Sequence, residues 1–333
     1  METDHPLLID AYHRQLNYLR ISVTDRCNLR CRYCTPAQGL DKLRHEDILT
    51  YEEIVRVVAL AVKMGVNKIR LTGGEPLVRK DVDTLLPCLT RFAELEDISL
   101  TTNGIFLSDH LESIKASGIK RINISLDTLN PRIYESITGF DGFHQVWSAI
   151  HKAADMGFDP IKLNTVVLKG INEKDVIELA DLSKTYPFHI RFIEYMPGGF
   201  VDPGARLCHV PNSTLKQRLS KYGRLVPVPR ADMDGPTVRF KFEGAPGEIG
   251  FISPLTHHFC ETCNRLRLTA NGHLRPGLFS DWEVDLNTPM REGDGDARLA
   301  RSFLQAALNK PRSHKLASTP SVSLSGKMSA IGG

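Results

Sequence analysis

The chain is 333 residues long, 41% hydrophobic, and carries a formal net charge of +3. That near-balance argues against a dedicated nucleic-acid binder, while local basic clusters still suit a small anion. No apolar run approaches the roughly 20 residues needed to span a bilayer. The opening Met-Glu-Thr-Asp-His lacks the features of a secretory signal, so a cytoplasmic protein is expected, without membrane or nucleic-acid partners.

Strand-like apolar runs alternate with helical patterns. A strand over 18–24 comes first, then a helix over 51–64, with Thr50 as N-cap, Glu53 at the capping-box position and Gly65 past its end. Strands are predicted at 68–72, 98–102, 121–126, 161–168 and 189–195. Helices are predicted between them near 81–92, 107–117, 143–156 and 172–184. Six strand–helix units imply a parallel sheet, because parallel strands need crossovers. Six fall short of a closed eightfold barrel, so an open partial barrel or a doubly wound sheet is expected, with its site at the C-terminal strand ends. After Gly198-Gly199 the alternation breaks down. Short strands are predicted at 237–242, 248–253 and 265–269, a helix near 297–308, and a Ser- and Pro-rich tail over 311–333.

Seven cysteines is an odd number, and five of them fall in two tight clusters. Such clusters suggest metal or redox chemistry rather than disulfides. Cys27, Cys31 and Cys34 have C-x3-C-x2-C spacing in a loop just after a strand. Three thiolates can hold three irons of a [4Fe–4S] cube, leaving the fourth open. An amino acid with adjacent amine and carboxylate, such as the methionine part of S-adenosylmethionine (SAM), can chelate that iron. A zinc site with His45 as fourth ligand is the alternative, but zinc sites more often pair two C-x2-C knuckles. Gly73-Gly74-Glu75-Pro76 follows the second strand. Its glycines allow close backbone approach to a ligand, and Glu75 can accept from an ammonium. Cys260-Glu261-Thr262-Cys263 precedes Arg265 and Arg267, which alternation places on one strand face. Two guanidinium groups there suit a polyphosphate; a solvated basic strand is the bland alternative.

The cysteine loop and the Gly-Gly-Glu-Pro turn together resemble the signature of the radical SAM superfamily. Five blocks, 19–27, 68–76, 190–196, 263–268 and 328–333, resemble the GTP 3′,8-cyclase family, which opens molybdenum cofactor biosynthesis. The resemblance implies that a 5′-deoxyadenosyl radical takes hydrogen from C3′ of GTP, and that C3′ then attacks C8 of guanine. It implies an α/β fold, an open partial β/α barrel over 1–199, with a smaller C-terminal domain over 200–310 covering the barrel mouth. It also implies a tail over 311–333 whose Gly332-Gly333 enters the site. Cys27, Cys31 and Cys34 match ligands of the SAM cluster, and Tyr33, Gly74, Glu75, Ser125 and Met196 the SAM site. Arg20, Arg70, Thr101, Lys162, Arg265, Leu266 and Arg267 match GTP contacts, and Arg191 is expected to join them at the mouth. Cys260 and Cys263 match ligands of a second [4Fe–4S] cluster. The family's third C-terminal cysteine falls on Gly277, so occupancy of that cluster and full activity are in question. His273 and Cys208, or more distantly His257 and His258, are the candidate substitutes. Thr35 is a milder departure. Expected partners are GTP, a downstream pterin synthase and a second copy in a homodimer, with the electron donor left open. Another radical SAM enzyme with an auxiliary cluster, or a GTP-binding paralogue without turnover, are the alternatives.

Overall fold

The computed structural model describes residues 5–35, 41–196, 208–230 and 235–313. The strands β1 (Tyr18–Ser22), β2 (Lys68–Thr72), β3 (Asp97–Thr102), β4 (Arg121–Ser125), β5 (Ile161–Val167) and β6 (His189–Glu194) lie within a few residues of their predicted places. Each pairs in parallel with the next. The crossovers carry α1 (Tyr51–Lys63), α2 (Val82–Thr90), α3 (Leu107–Ala116), α4 (Pro131–Thr138), α5 (Phe143–Asp155) and α6 (Val176–Thr185). The α1 capping box forms as read: Thr50 Oγ1 accepts from Glu53 N, and Glu53 accepts from Thr50 N. Helix α4 was not anticipated, although its signals are in the sequence. Asn130 caps it, Pro131 opens it, and Gly139 ends it at φ 70°.

Beyond residue 208 come α7 (Asn212–Tyr222), β7 (Leu225–Pro227), β8 (Val238–Phe242), β9 (Glu248–Ile252), β10 (Arg265–Leu268), β11 (His273–Arg275), β12 (Val284–Asp285), α8 (Asn287–Arg291) and α9 (Asp296–Leu308). These strands do not build a sheet of their own. β9 adds in parallel to β6, and β10 in parallel to β1. The result is one open 12-stranded sheet in the order β12-β11-β10-β1-β2-β3-β4-β5-β6-β9-β8-β7. Its parallel run thus has eight strands where six were expected.

Alternation sorts the two faces. Leu19, Ile21, Ile69, Leu71, Leu100, Ile122, Ile124, Leu163, Ile190 and Phe192 are buried in the core with Ile54, Val58, Leu85, Leu111, Ile150 and Leu179 of the helices. Each such side chain contributes on the order of 1.5–3 kcal/mol of burial. The residues between them, Arg20, Arg70, Thr101, Lys162 and Arg191, point the other way. They line one cavity together with Arg121 of β4, Ile252 of β9 and Arg265 of β10. Side chains from eight neighbouring strands meet in one cavity only if the sheet curls around it, as a partial barrel does.

Candidate active site

The cysteine loop leaves the C-terminal end of β1 and is pinned from four sides. Gly74 N donates to Thr24 O and Glu75 N to Arg26 O, both at 2.8 Å. Arg30 N and Arg32 N donate to Thr138 O and Ile137 O at the end of α4, both at 2.9 Å. Asn103 Nδ2 donates to Asn28 Oδ1 at 2.8 Å and reaches Cys27 Sγ at 3.8 Å. Tyr33 Oη donates to the buried Asp127 carboxylate at 2.8 Å. Cys27, Cys31 and Cys34 are free thiols. Burial pushes all three up, Cys34 to about 11. Among the described residues no three Cys, His, Asp or Glu groups converge closely enough to share one metal ion. Cys27, Cys31 and Cys34 are half-buried on one braced loop, with Lys42 the cation that acts on Cys27 and Cys34; three thiols so placed would suit an iron–sulfur cluster as its protein ligands.

The glycines of the Gly-Gly-Glu-Pro turn make a close contact with the cysteine loop. A Cβ on Gly74 would lie 2.3 Å from Arg26 O, and one on Gly73 would lie 2.6 Å from Thr24 O. The bare backbones are what let this turn lie against the cysteine loop. Glu75 is buried, which raises its carboxyl to about 7. It already accepts from Asn103 N (2.6 Å), Thr102 Oγ1 (2.8 Å) and Leu77 N (3.1 Å). It therefore ties β2 to β3, with little capacity left for a ligand ammonium. Ser125 ends β4, half-buried, and Met196 lies beyond β6 on the cavity wall.

Among the described residues the cavity is lined by ten Arg and Lys side chains and by no Asp or Glu, a wall whose charge suits an anion. Asp97, just outside the lining, pairs with Lys68 (2.8 Å) and Arg121 (2.6 Å) and leaves the other cations of the wall uncompensated by it. Tyr18 Oη, Thr101 Oγ1, Asn164 Oδ1 and Arg265 Nε are buried without a hydrogen-bond partner among the described residues. Orphaned buried polar atoms cost about 1–3 kcal/mol each unless something meets them. Burial, then Arg191, Arg121 and Arg70, push Lys162 down to about 6. Burial and Arg265 lower Arg267 to about 10, still fully charged at neutral pH. Burial alone would raise Tyr18, yet Arg70, Arg20, Arg265 and Lys68 leave it lowered.

Of the GTP-site expectations, Arg20, Arg70, Thr101, Lys162, Arg191, Arg265 and Arg267 all line this cavity. Leu266 does not. Its side chain is fully buried in the core on the other face of β10, as strand alternation demands. Tyr18, Lys68, Arg121 and Asn164 line the cavity but were missed. Tyr18, Lys68 and Asn164 sit two positions from Arg20, Arg70 and Lys162, so period-two reading of the strands would have found them.

Cys260, Cys263, Gly277 and His258 all line the same cavity. Burial raises the Cys263 thiol, but Arg265 and Lys310 outweigh it and bring it to about 7. The substitutes first considered for a third ligand are elsewhere. His273 faces Asp285 across β11 and β12. Cys208 sits beyond β5, its carbonyl accepting from Lys169 N. Neither they nor His257 line the cavity, whereas His258 does. Two residues outside the sheet brace this wall. Arg14 donates to Cys260 O and Pro311 O, held by Asp10 at 2.5 Å. Lys310 Nζ donates to Arg265 O at 2.8 Å and to Pro276 O, and meets Cys263. The expected Gly332-Gly333 terminus lies outside the described residues.

Comparison with known proteins bears on both halves of the chain. Residues 21–183 match the radical SAM superfamily and residues 188–316 match the Molybdenum Cofactor Synthesis C family. A GTP 3′,8-cyclase from Moorella thermoacetica is 47% identical, over 92% of this chain and 95% of that protein. One from Pelotomaculum thermopropionicum is 46% identical over the same shares. One from Syntrophomonas wolfei is 41% identical over 98% of this chain and all of that protein. In fold the chain is similar to Streptococcus suis SuiB bound to S-adenosylmethionine, with TM-score 0.60 and 16% identity over 83% of this chain and 65% of that one. The open eight-strand parallel barrel, the three-thiol loop and the relatives' identity over nearly the full length agree: the chain belongs to the GTP 3′,8-cyclase family of radical SAM enzymes.

Proposed function

We propose that this chain catalyses the radical SAM-dependent cyclisation of GTP to 3′,8-cyclo-7,8-dihydro-GTP, the first step of molybdenum cofactor biosynthesis. The observation that carries the reading is the curled sheet itself. It places a three-thiol loop at its C-terminal end and a cation-lined cavity inside. The [4Fe–4S] cluster and SAM, when bound, supply the hydrogen-abstracting radical. The protein's own part is to hold the substrate still and keep water out. Arg20, Arg70, Lys162, Arg191, Arg265 and Arg267 meet the triphosphate, and Thr101 and Asn164 offer oxygen partners to the nucleoside. Tyr33, Gly74, Ser125 and Met196 make up the SAM side, with Glu75 setting the turn that carries Gly74.

The reaction removes one hydrogen from C3′, forms the C3′–C8 bond, and returns one electron and one proton. The product is therefore an isomer of GTP. Anaerobically reconstituted protein, given GTP, SAM and a chemical reductant, should yield a compound of GTP mass with a different chromatographic retention and one 5′-deoxyadenosine per product. Recovery of all GTP unchanged beside cleaved SAM would overturn the reading.

A pterin-forming synthase consumes the product in this reading, and the working unit is a homodimer in the cytoplasm. Among the described residues no helix is long and apolar enough to cross a membrane. Residues 1–199 carry the SAM half of the work, 200–310 the second cluster and the phosphate-facing strand, and 311–333 the tail.

A further inference from the structure

Three neighbouring strands build one patch of the cavity wall. Tyr18 of β1 pairs across to Lys68 of β2 and Arg265 of β10, and Arg20 pairs across to Arg70 and Arg267. All six side chains line the cavity; five are cations, and Tyr18 is the neutral member. Its ring lies under three of them, with Lys68 Nζ 5.2 Å, Arg70 Cζ 5.7 Å and Arg265 Cζ 5.9 Å from the centroid, all within cation–π reach. Tyr18 is 5% exposed, yet its Oη has no hydrogen-bond partner among the described residues. The chemistry of its neighbours explains this. Lysine and arginine only donate, so the phenol can accept from them while its own proton finds no acceptor. The acceptor has to arrive from outside the protein, and five cations in the same patch select an anion over water.

We propose that Tyr18 is a phosphate ligand, its phenol donating to a phosphate oxygen that the five cations draw in. This rests on the reading of the cavity as the triphosphate site and adds a neutral donor to it. The proton stays on Oη and no covalent bond changes. A phenol suits position 18 for a physical reason. The cations already repel one another: Arg20 is lowered by burial first and then by Arg267. A sixth cation would add to that repulsion. Tyr18 supplies a donor without charge, and its ring face attracts the cations beside it. Its buried hydroxyl costs the empty protein stability until an acceptor meets it, and phosphate relieves that cost on binding.

The test compares the full chain, reconstituted anaerobically, with its Tyr18→Phe variant, which removes one oxygen and keeps the ring. Titration calorimetry reads the dissociation constants of GTP and of inorganic tripolyphosphate, and scanning calorimetry reads the melting temperature. Tyr18→Phe should weaken both ligands by the same factor, on the order of tenfold to a hundredfold, as loss of a hydrogen bond to a charged group does. Without ligand it should melt at or above the parent temperature, because it loses only an orphaned hydroxyl. A lower melting temperature without ligand would reveal a structural bond at Oη and overturn the proposal. Equal affinities in the two proteins for both ligands would overturn it and leave the triphosphate reading standing. Weakened GTP with unchanged tripolyphosphate would also overturn it, placing Tyr18 at the nucleoside. Tripolyphosphate bound by the parent and weakened in Tyr18→Phe, with GTP bound by neither, would sustain Tyr18 as a phosphate ligand and sink the GTP reading instead. A parent protein that binds neither ligand would overturn both.

Discussion

Tyr33, between two of the loop cysteines, donates a 2.8 Å hydrogen bond to Asp127, a buried carboxylate at the far end of β4. Asp127 also accepts from Val166 N of β5 at 2.8 Å, so one side chain fastens the cysteine loop to two strands. Burial raises Asp127 to about 6. A hydrogen bond involving a charged partner is worth about 1.5–3 kcal/mol. Asp127→Ala should therefore loosen the loop and lower iron bound at the first site, measured after mild chelation. Asp127→Asn keeps an acceptor and should retain most of it. Equal iron retention in Asp127→Ala and the parent would remove Asp127 from this role.

The proposed cluster role of the three loop thiols is tested one cysteine at a time. Cys27→Ala, Cys31→Ala and Cys34→Ala should each abolish reductive cleavage of SAM, read as 5′-deoxyadenosine formed. Parent-level formation in any one of them would show that the cluster is held differently.

Gly74 and Gly277 should respond in opposite ways to the same change. Gly74→Ala forces a methyl to within 2.3 Å of Arg26 O and must push the turn off the cysteine loop. Loss of first-site iron and a lower melting temperature are expected. Gly277→Ala meets open space and should melt within about 0.5 kcal/mol of the parent. A stable, iron-replete Gly74→Ala protein would refute the close-approach argument.

Lys162 should make anion binding a proton-linked event. At about 6, Lys162 is mostly neutral at pH 7 in the empty cavity. A triphosphate beside it favours the charged form, so GTP should bind with proton uptake, and affinity should rise as pH falls from 8 towards 6. Calorimetry in buffers of differing ionisation enthalpy reads the proton directly, and Lys162→Met should lose it. The empty protein carries the opposite linkage. The unfolded chain binds this proton up to the ordinary lysine range, so stability of the apo form gains from rising pH above about 6. No buffer dependence of the binding heat would reject Lys162 as the group involved.

On β10, Arg265→Ala and Arg267→Ala should each weaken GTP binding at least tenfold, since a charged hydrogen bond contributes about 1.5–3 kcal/mol. Unchanged affinity in both would exclude β10 from the substrate site. Leu266 offers no side chain there, and Leu266→Ala should instead lower stability by about 2–5 kcal/mol as a core cavity.

Much of this was legible before any coordinates. The six leading strands, the α1 capping box, the spacing of the three-thiol loop and the shared face of Arg265 and Arg267 follow from period and spacing, which are local properties, whereas Arg20, Arg70 and Lys162 were reached through the family resemblance. The misses have physical causes. β9 and β10 look like isolated short runs because their partners are β6 and β1, set by tertiary pairing that no local pattern encodes. Helix α4 is eight residues long, too short for a full amphipathic period to stand out. Lys310 and Arg14 act through backbone carbonyls of distant segments, a contact with no sequence signature. The approach of Gly74 to Arg26 O was not foreseen, because spacing shows that a glycine is needed but not which protein atom it yields to.

The pairing of β1 with β10 carries a consequence for how the chain is made. Contacts along this seam span 247 residues. The first strand to leave the ribosome waits for nearly the last before its outer edge is covered. Until then β1 on one side and β6 on the other present unpaired backbone, the kind of edge that recruits other chains. Such long-range closure is slow to form. A fragment ending near residue 200 should accordingly be aggregation-prone during synthesis, and supplying residues 208–313 as a separate chain should rescue its solubility by capping both edges at once.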